Sequence, residues 1–279
     1  MKLRYYFCDR FDATLEDFLQ KEKIKYKVTN ATTRLPLIVF NIWSDEKDFE
    51  YKLRIVRELC AREPLRFAEY SSSEYSNAKL LIMRPKKQQI GIINENDAFR
   101  YSCKWINSIG ETVVRHEKQI GVLSIDKEPS ISSTTAFWCE DSGFSIIFAS
   151  KHFVDLSIQN HLTGIVFRDV MLKNGERSKN LFQISSDNTI NRDCIGTGYG
   201  EIVEVCPHCG AEQYFIDEAH QLHLDYSKIQ TQSDLYLTEQ IFGQGDPYSL
   251  YLISQRFYQL LKQAKLDAHV AFSPVIDIS

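Results

Sequence analysis

Asp12-Ala-Thr-Leu-Glu-Asp-Phe-Leu-Gln-Lys21 opens with a residue type that caps helices. It sets Leu15, Phe18 and Leu19 at three- and four-residue spacing, so it reads as an amphipathic helix. Before it, Leu3 to Phe7 is rich in aromatics and reads as a strand. After it, Lys25 to Thr29 and Leu37 to Trp43 read as two further strands. Ser44 is the expected cap of a second helix, Asp45 to Ala61, with Phe49, Leu53, Val56 and Leu59 on its buried side. Pro64 ends that helix, and either Leu65 to Tyr70 or Lys79 to Met83 supplies the next strand. The order is β-α-β-β-α-β, the split βαβ pattern of ferredoxin-like modules.

The expected fold class is therefore α+β: a ferredoxin-like βαββαβ module over residues 1–95, followed by a larger mixed α+β domain over 96–279 that carries a C-x-x-C turn. With 279 residues, the chain is long enough to bury a substantial core without covalent staples. Its 43% hydrophobic and 25% charged residues are ordinary globular values and argue against whole-chain disorder. The formal charge of -4 argues against a general nucleic-acid binder, which carries a basic excess to neutralise phosphates. Seven scattered cysteines do not suit a secreted disulfide framework, which is denser and even in number. The first residues contain no apolar run suited to a signal peptide, and Leu35 to Phe40 is far too short to span a bilayer. The expectation is a cytoplasmic protein without a membrane partner.

From about residue 97 the pattern is richer in strands, and a weak internal repeat emerges. Ser150-Lys-His-Phe-Val-Asp-Leu runs on to Val170, and Ser254-Gln-Arg-Phe-Tyr-Gln-Leu runs on to Val275. Each copy opens on a serine able to cap a helix. Each then places Phe and Leu three residues apart, at Phe153 and Leu156 and at Phe257 and Leu260. Each turns, at Leu162-Thr-Gly164 or Leu266-Asp-Ala268, into an apolar strand. Two ordinary helix-turn-strand units would look the same by coincidence.

The sharpest chemical signal is Cys206-Pro-His-Cys-Gly210. A C-x-x-C turn points two sulfurs to one side, and the following glycine permits the positive φ that closes it. Zinc takes four ligands, and the nearest further candidates are His220 and His223, with Cys194 upstream. Cys206, Cys209, His220 and His223 are thus the expected metal set for one structural zinc. The alternative is a reduced thiol pair in a turn with surface histidines. A thioredoxin-like role is disfavoured, because that motif opens a helix, whereas Gln213 to Ile216 looks like a strand. Gly196-Thr-Gly-Tyr-Gly200 lacks the strand and helix that a phosphate loop requires. The sequence contains no G-x-S-x-G elbow, Walker lysine loop or H-E-x-x-H helix, and no catalytic residue is assigned.

The ordered set Ile147-Phe-Ala-Ser150, Leu162-Thr-Gly164, Cys206-Pro-His-Cys-Gly210, Ser233-Asp-Leu-Tyr236, Ser254-Gln-Arg-Phe257 and Phe272-Ser-Pro-Val275 resembles the double-CxxCG family and related immunity proteins of bacterial polymorphic toxin systems. The resemblance covers residues 145–279. One of the two knuckles that name the family is missing, and Cys139-Glu-Asp-Ser-Gly143 looks like a degraded counterpart. The resemblance implies a non-enzymatic cytoplasmic protein that binds and neutralises a protein toxin. Asp217, Glu218 and Asp225, around the knuckle, are candidate contacts for a basic toxin surface. The competing reading is a zinc-ribbon-containing regulatory or nucleic-acid-binding adaptor.

Overall fold

The computed structural model describes residues 1–30, 36–86, 89–106, 110, 112–140, 146–196, 200–215, 221–243 and 248–279. The protein is mixed α+β. The described residues divide into two compact units, one ending at Glu74 and the other beginning at Tyr75.

The first unit contains β1 (Lys2–Arg10), α1 (Ala13–Lys21), β2 (Tyr26–Asn30), β3 (Pro36–Trp43), α2 (Phe49–Leu59) and β4 (Leu65–Glu69). Its sheet runs β2-β3-β1-β4, with every neighbouring pair antiparallel. Asp12 caps α1 by accepting from the amides of Thr14 and Leu15, leaving Leu15 and Leu19 fully buried. Phe7 stacks on Phe40 across β1 and β3, with ring centroids 4.8 Å apart. Leu53 and Val56 are buried, and Phe49 packs at the margin of the same core.

Two details differ from the sequence expectation. The second helix begins at Phe49, not Asp45, because Ser44 is engaged elsewhere: its hydroxyl accepts from the amide of Leu3 at 2.8 Å. The module also ends near Glu74 rather than residue 95. The physical reason is the apolar strand β5 (Leu80–Pro85), which pairs with strands of the second unit, while β4 takes the place beside β1. Between them, Ser72–Asn77 forms the short helix α3.

The second unit continues through β6 (Gln89–Ile90), α4 (Glu95–Ala98), β7 (Phe99–Ile106), β8 (Thr112–Gln119), β9 (Leu123–Ile125), β10 (Phe137–Glu140) and β11 (Ile147–Ser150). Next come α5 (Lys151–Gln159), β12 (Val166–Leu172), β13 (Arg177–Ser185), β14 (Thr189–Ile190), β15 (Glu201–Val205), β16 (Glu212–Phe215) and β17 (His223–Leu224). The chain closes with β18 (Leu235–Phe242), β19 (Tyr248–Ser254), α6 (Gln255–Gln263), β20 (Val270–Pro274) and β21 (Ile276–Asp277). One sheet runs β6-β10-β11-β13-β12-β9 and the other β15-β16-β18-β19-β5-β20, with β14 on β18. The hairpin β7–β8 and the pair β17–β21 are each two-stranded.

The suspected repeat is a structural one. In β11-α5-β12 the antiparallel strand β13 lies between the two strands that the helix connects. In β19-α6-β20 the strand β5 lies between them in the same way. One apolar core gathers Phe153 of α5, Phe257 of α6, Ile147 of β11, Ile253 of β19 and Met83 of β5.

Candidate metal centre

Cys206 to Gly210 forms the turn between β15 and β16. The Cys206 amide donates to the Ala211 carbonyl and the Gly210 amide to the Cys206 carbonyl, each at 2.9 Å. Gly210 has φ +69°, a left-handed conformation that glycine adopts without Cβ strain. Strands flank the turn on both sides, so the turn does not open a helix.

A third cysteine joins them. Among the described residues, the sulfurs of Cys103, Cys206 and Cys209 form a group of three potential metal donors, all within 4.8 Å of one another. Cys103 stands on β7, paired with Arg115 of β8, far upstream of the other two. Cys206 is 2% exposed and Cys103 8%, whereas Cys209 faces solvent. Trp105, Val113 and Ala211 complete a small core around the two buried sulfurs. A further link ties the turn to β7: Nε2 of His208 lies 3.1 Å from the Lys104 carbonyl oxygen. No disulfide joins any of the seven cysteines. Three thiols so placed can hold a thiophilic metal ion.

His223 is not in this group. It lies half-buried on β17 opposite Ile276, between Leu222 and Leu224, which are fully buried in a different core cluster. It is held there because its carbonyl accepts from the Gly196 amide. Of the expected ligand set, the structure brings together Cys206 and Cys209, adds Cys103 and leaves His223 outside. His220, Asp217 and Glu218 lie outside the described residues, as do most of Cys139–Gly143 and the centre of the Gly196–Gly200 loop. Asp225 accepts from the amide and hydroxyl of Ser227 and pairs with Lys228 at 3.5 Å. The Ser227 hydroxyl, followed by its amide and Lys228, holds the Asp225 carboxyl below its ordinary value against desolvation.

The remaining thiols stand apart. Burial, reinforced by Asp9, pushes Cys60 up to about 12. Burial also raises Cys139 and Cys194. These are the marks of thiols that pack as small apolar groups.

A second assembly gathers three of the short motifs. Asp234, 5% exposed, accepts from the Thr163 amide at 2.7 Å, the Thr163 hydroxyl at 3.1 Å, the Ser254 hydroxyl at 2.6 Å and Arg256 Nε at 3.1 Å. A second Arg256 nitrogen also donates to it. The backbone adds Asp234 amide to Thr163 carbonyl and Ser254 amide to Asp234 carbonyl. Ser233 donates to the Leu235 carbonyl, and Tyr236 donates to the Thr231 carbonyl. Leu162-Thr-Gly164, Ser233-Asp-Leu-Tyr236 and Ser254-Gln-Arg-Phe257 thus form one hydrogen-bonded junction.

Against known proteins, no protein-family model matches the chain and no curated protein matches it. No helix among the described residues is long and apolar enough to cross a membrane.

Proposed function

We propose that the protein is a non-enzymatic cytoplasmic immunity protein that binds a cognate bacterial toxin and blocks it by occlusion. The observation that supports this is the junction at Asp234. Three motifs of the resemblance, separated by long stretches of sequence, meet at one carboxylate. Their order therefore has a structural basis, as expected if residues 145–279 share the scaffold of the double-CxxCG immunity proteins. In the N-terminal unit, the strand order β2-β3-β1-β4 supports a ferredoxin-like reading. Asp217, Glu218 and Asp225 are the proposed contacts for a basic toxin surface, and one structural zinc is the proposed cofactor.

The test is co-expression with a toxin encoded beside this chain. Rescue of growth and a stable complex on size-exclusion chromatography are expected, with nanomolar affinity, roughly -12 kcal/mol. Association should slow as salt rises, because charge complementarity steers encounter. A toxin that kills equally well with or without this protein, and forms no complex with it, overturns the reading.

A second reading, a zinc-ribbon adaptor that binds nucleic acid, is favoured by the three-sulfur cluster between two hairpins. Its discriminating measurement is binding to duplex and single-stranded DNA at low salt. A steep salt-dependent affinity would favour it over the toxin partner.

A further inference from the structure

We propose that Cys103, Cys206 and Cys209 are three ligands of one zinc ion that staples the β7–β8 hairpin to the turn joining β15 and β16. The inference rests on the zinc of the preceding reading and is independent of the toxin. It changes the ligand set: Cys103 enters and His223 leaves.

The first support is distance. Zinc–thiolate bonds of about 2.3 Å in tetrahedral geometry set neighbouring sulfurs about 3.8 Å apart. The three sulfurs here already lie within 4.8 Å of one another, so binding requires only small side-chain adjustments. Three thiolates also suit zinc better than harder ions such as magnesium or calcium, which take oxygen ligands.

The second support is mechanical. Among the described residues the β7–β8 hairpin makes a sheet of two strands; Gln119 at its base pairs with Gln183, and two strands alone are at best marginally stable in water. The core that joins it to the Cys206 turn contains Cys103, Trp105, Val113, Cys206 and Ala211. So small a core supplies little burial energy, and small cores are commonly supplemented by a metal. A bond from β7 to a turn far along the chain also closes a long loop, which removes conformational freedom from the unfolded state.

The third support is the arrangement around the sulfurs. His208 reaches the Lys104 carbonyl, next to Cys103 in sequence, so the turn is oriented toward β7 by a contact other than sulfur. Cys209 faces solvent while Cys206 and Cys103 do not, which gives an ion a path in from the exposed side. On binding, each thiol transfers its proton to solvent and its sulfur lone pair to zinc. Nothing is oxidised or reduced, and affinity rises with pH.

The test uses the full chain. Purified protein should carry close to one zinc per chain by elemental analysis. Alkylation of the wild-type protein, mapped by mass spectrometry with and without a chelator, should show Cys103, Cys206 and Cys209 becoming reactive together as zinc is removed. This readout needs no variant to fold. In addition, Cys103→Ser should weaken zinc binding by more than about tenfold, since even outer-shell changes cost that much, while His223→Ala should keep the metal. Protection of Cys206 and Cys209 without Cys103, or loss of zinc in His223→Ala equal to that in Cys103→Ser, would overturn the ligand set and leave zinc standing. A wild-type chain that takes up no zinc when offered the metal alone overturns the site altogether, and leaves the toxin reading to its own experiment.

Discussion

Phe153 and Phe257 stack with ring centroids 5.1 Å apart and planes 15° from parallel, and each lies three residues beyond a serine that caps its own helix. The Ser150 hydroxyl accepts from the Phe153 amide, and the Ser254 hydroxyl accepts from the Phe257 amide. Both helices end alike. His161 and Lys265 take left-handed φ of 52° and 56°. The next amides, of Leu162 and Leu266, donate back to Ser157 and Leu261, a helix-terminating pattern. The two helix-turn-strand repeats therefore meet through equivalent residues at the centre of one core.

That equivalence predicts the cost of truncation. Both rings are fully buried, so Phe153→Ala and Phe257→Ala should each lose about 3–5 kcal/mol. The double variant should lose less than the sum, because the rings share a contact. Urea denaturation checks this, and a loss below about 1 kcal/mol at either position would refute the shared core.

The caps should not be equal. Ser150→Ala removes one cap and should cost about 1 kcal/mol. Ser254→Ala also removes a 2.6 Å hydrogen bond to the buried Asp234 carboxylate, so it should cost about 1.5 kcal/mol more. Thermal melts of the two variants side by side would show the difference, and equal losses would dismiss the role of Ser254 at the junction.

Asp234 makes stability depend on pH. Burial works to raise its carboxyl, but Arg256, the Ser254 hydroxyl and the Thr163 amide outweigh burial and hold it below the ordinary value. A carboxyl depressed in the folded state contributes stability above its unfolded value, about 3.9. That contribution disappears as pH falls through the lower folded value. Asp234→Asn should therefore be less stable than wild type at pH 7, by about 1.5–3 kcal/mol. The gap should close as pH drops below about 4. Arg256→Ala should cost less, since the Arg256 side chain is 56% exposed and solvent screens its pairing. A gap that is unchanged from pH 7 to pH 3 would contradict the assignment.

Some of this was legible in the sequence and some was not, for identifiable reasons. Asp12 and the Leu15–Leu19 stripe specify α1 locally, and the cap and the period agree with the structure. Leu80–Pro85 gives no such guidance. Leu80, Leu81, Ile82 and Met83 are all buried, and a strand covered on both faces has no alternation to show which sheet it joins. Ser44 has the chemistry of a cap, yet a distant amide, that of Leu3, claims its hydroxyl. The Cys206–Gly210 turn is visible because its spacing is local. Cys103 is not, because only the tertiary fold brings β7 to that turn. His223, though close to the turn in sequence, is drawn into a strand pair instead.

The tightest backbone position in the Asp234 junction is Gly164. Its φ is +73°, and a Cβ built there would lie 1.7 Å from the Ser233 hydroxyl, 2.6 Å from Asn188 Nδ2 and 2.9 Å from the Leu235 carbonyl. Ser233 cannot simply turn away, because its hydroxyl accepts from Asn188 and donates to the Leu235 carbonyl. Gly164→Ala should therefore cost more than about 3 kcal/mol, combining backbone strain with a steric clash. Gly175 provides the control. It has φ +82° but no atom within 4 Å of its virtual Cβ, so Gly175→Ala should show strain alone, about 1–2 kcal/mol. Ser233→Ala removes the oxygen that lies 1.7 Å away, so combining it with Gly164→Ala should recover part of the loss. Denaturant melts of the four variants complete the cycle. If Gly164→Ala is no worse than Gly175→Ala, or if Ser233→Ala recovers nothing, the close packing that joins the three motifs is not what holds this junction.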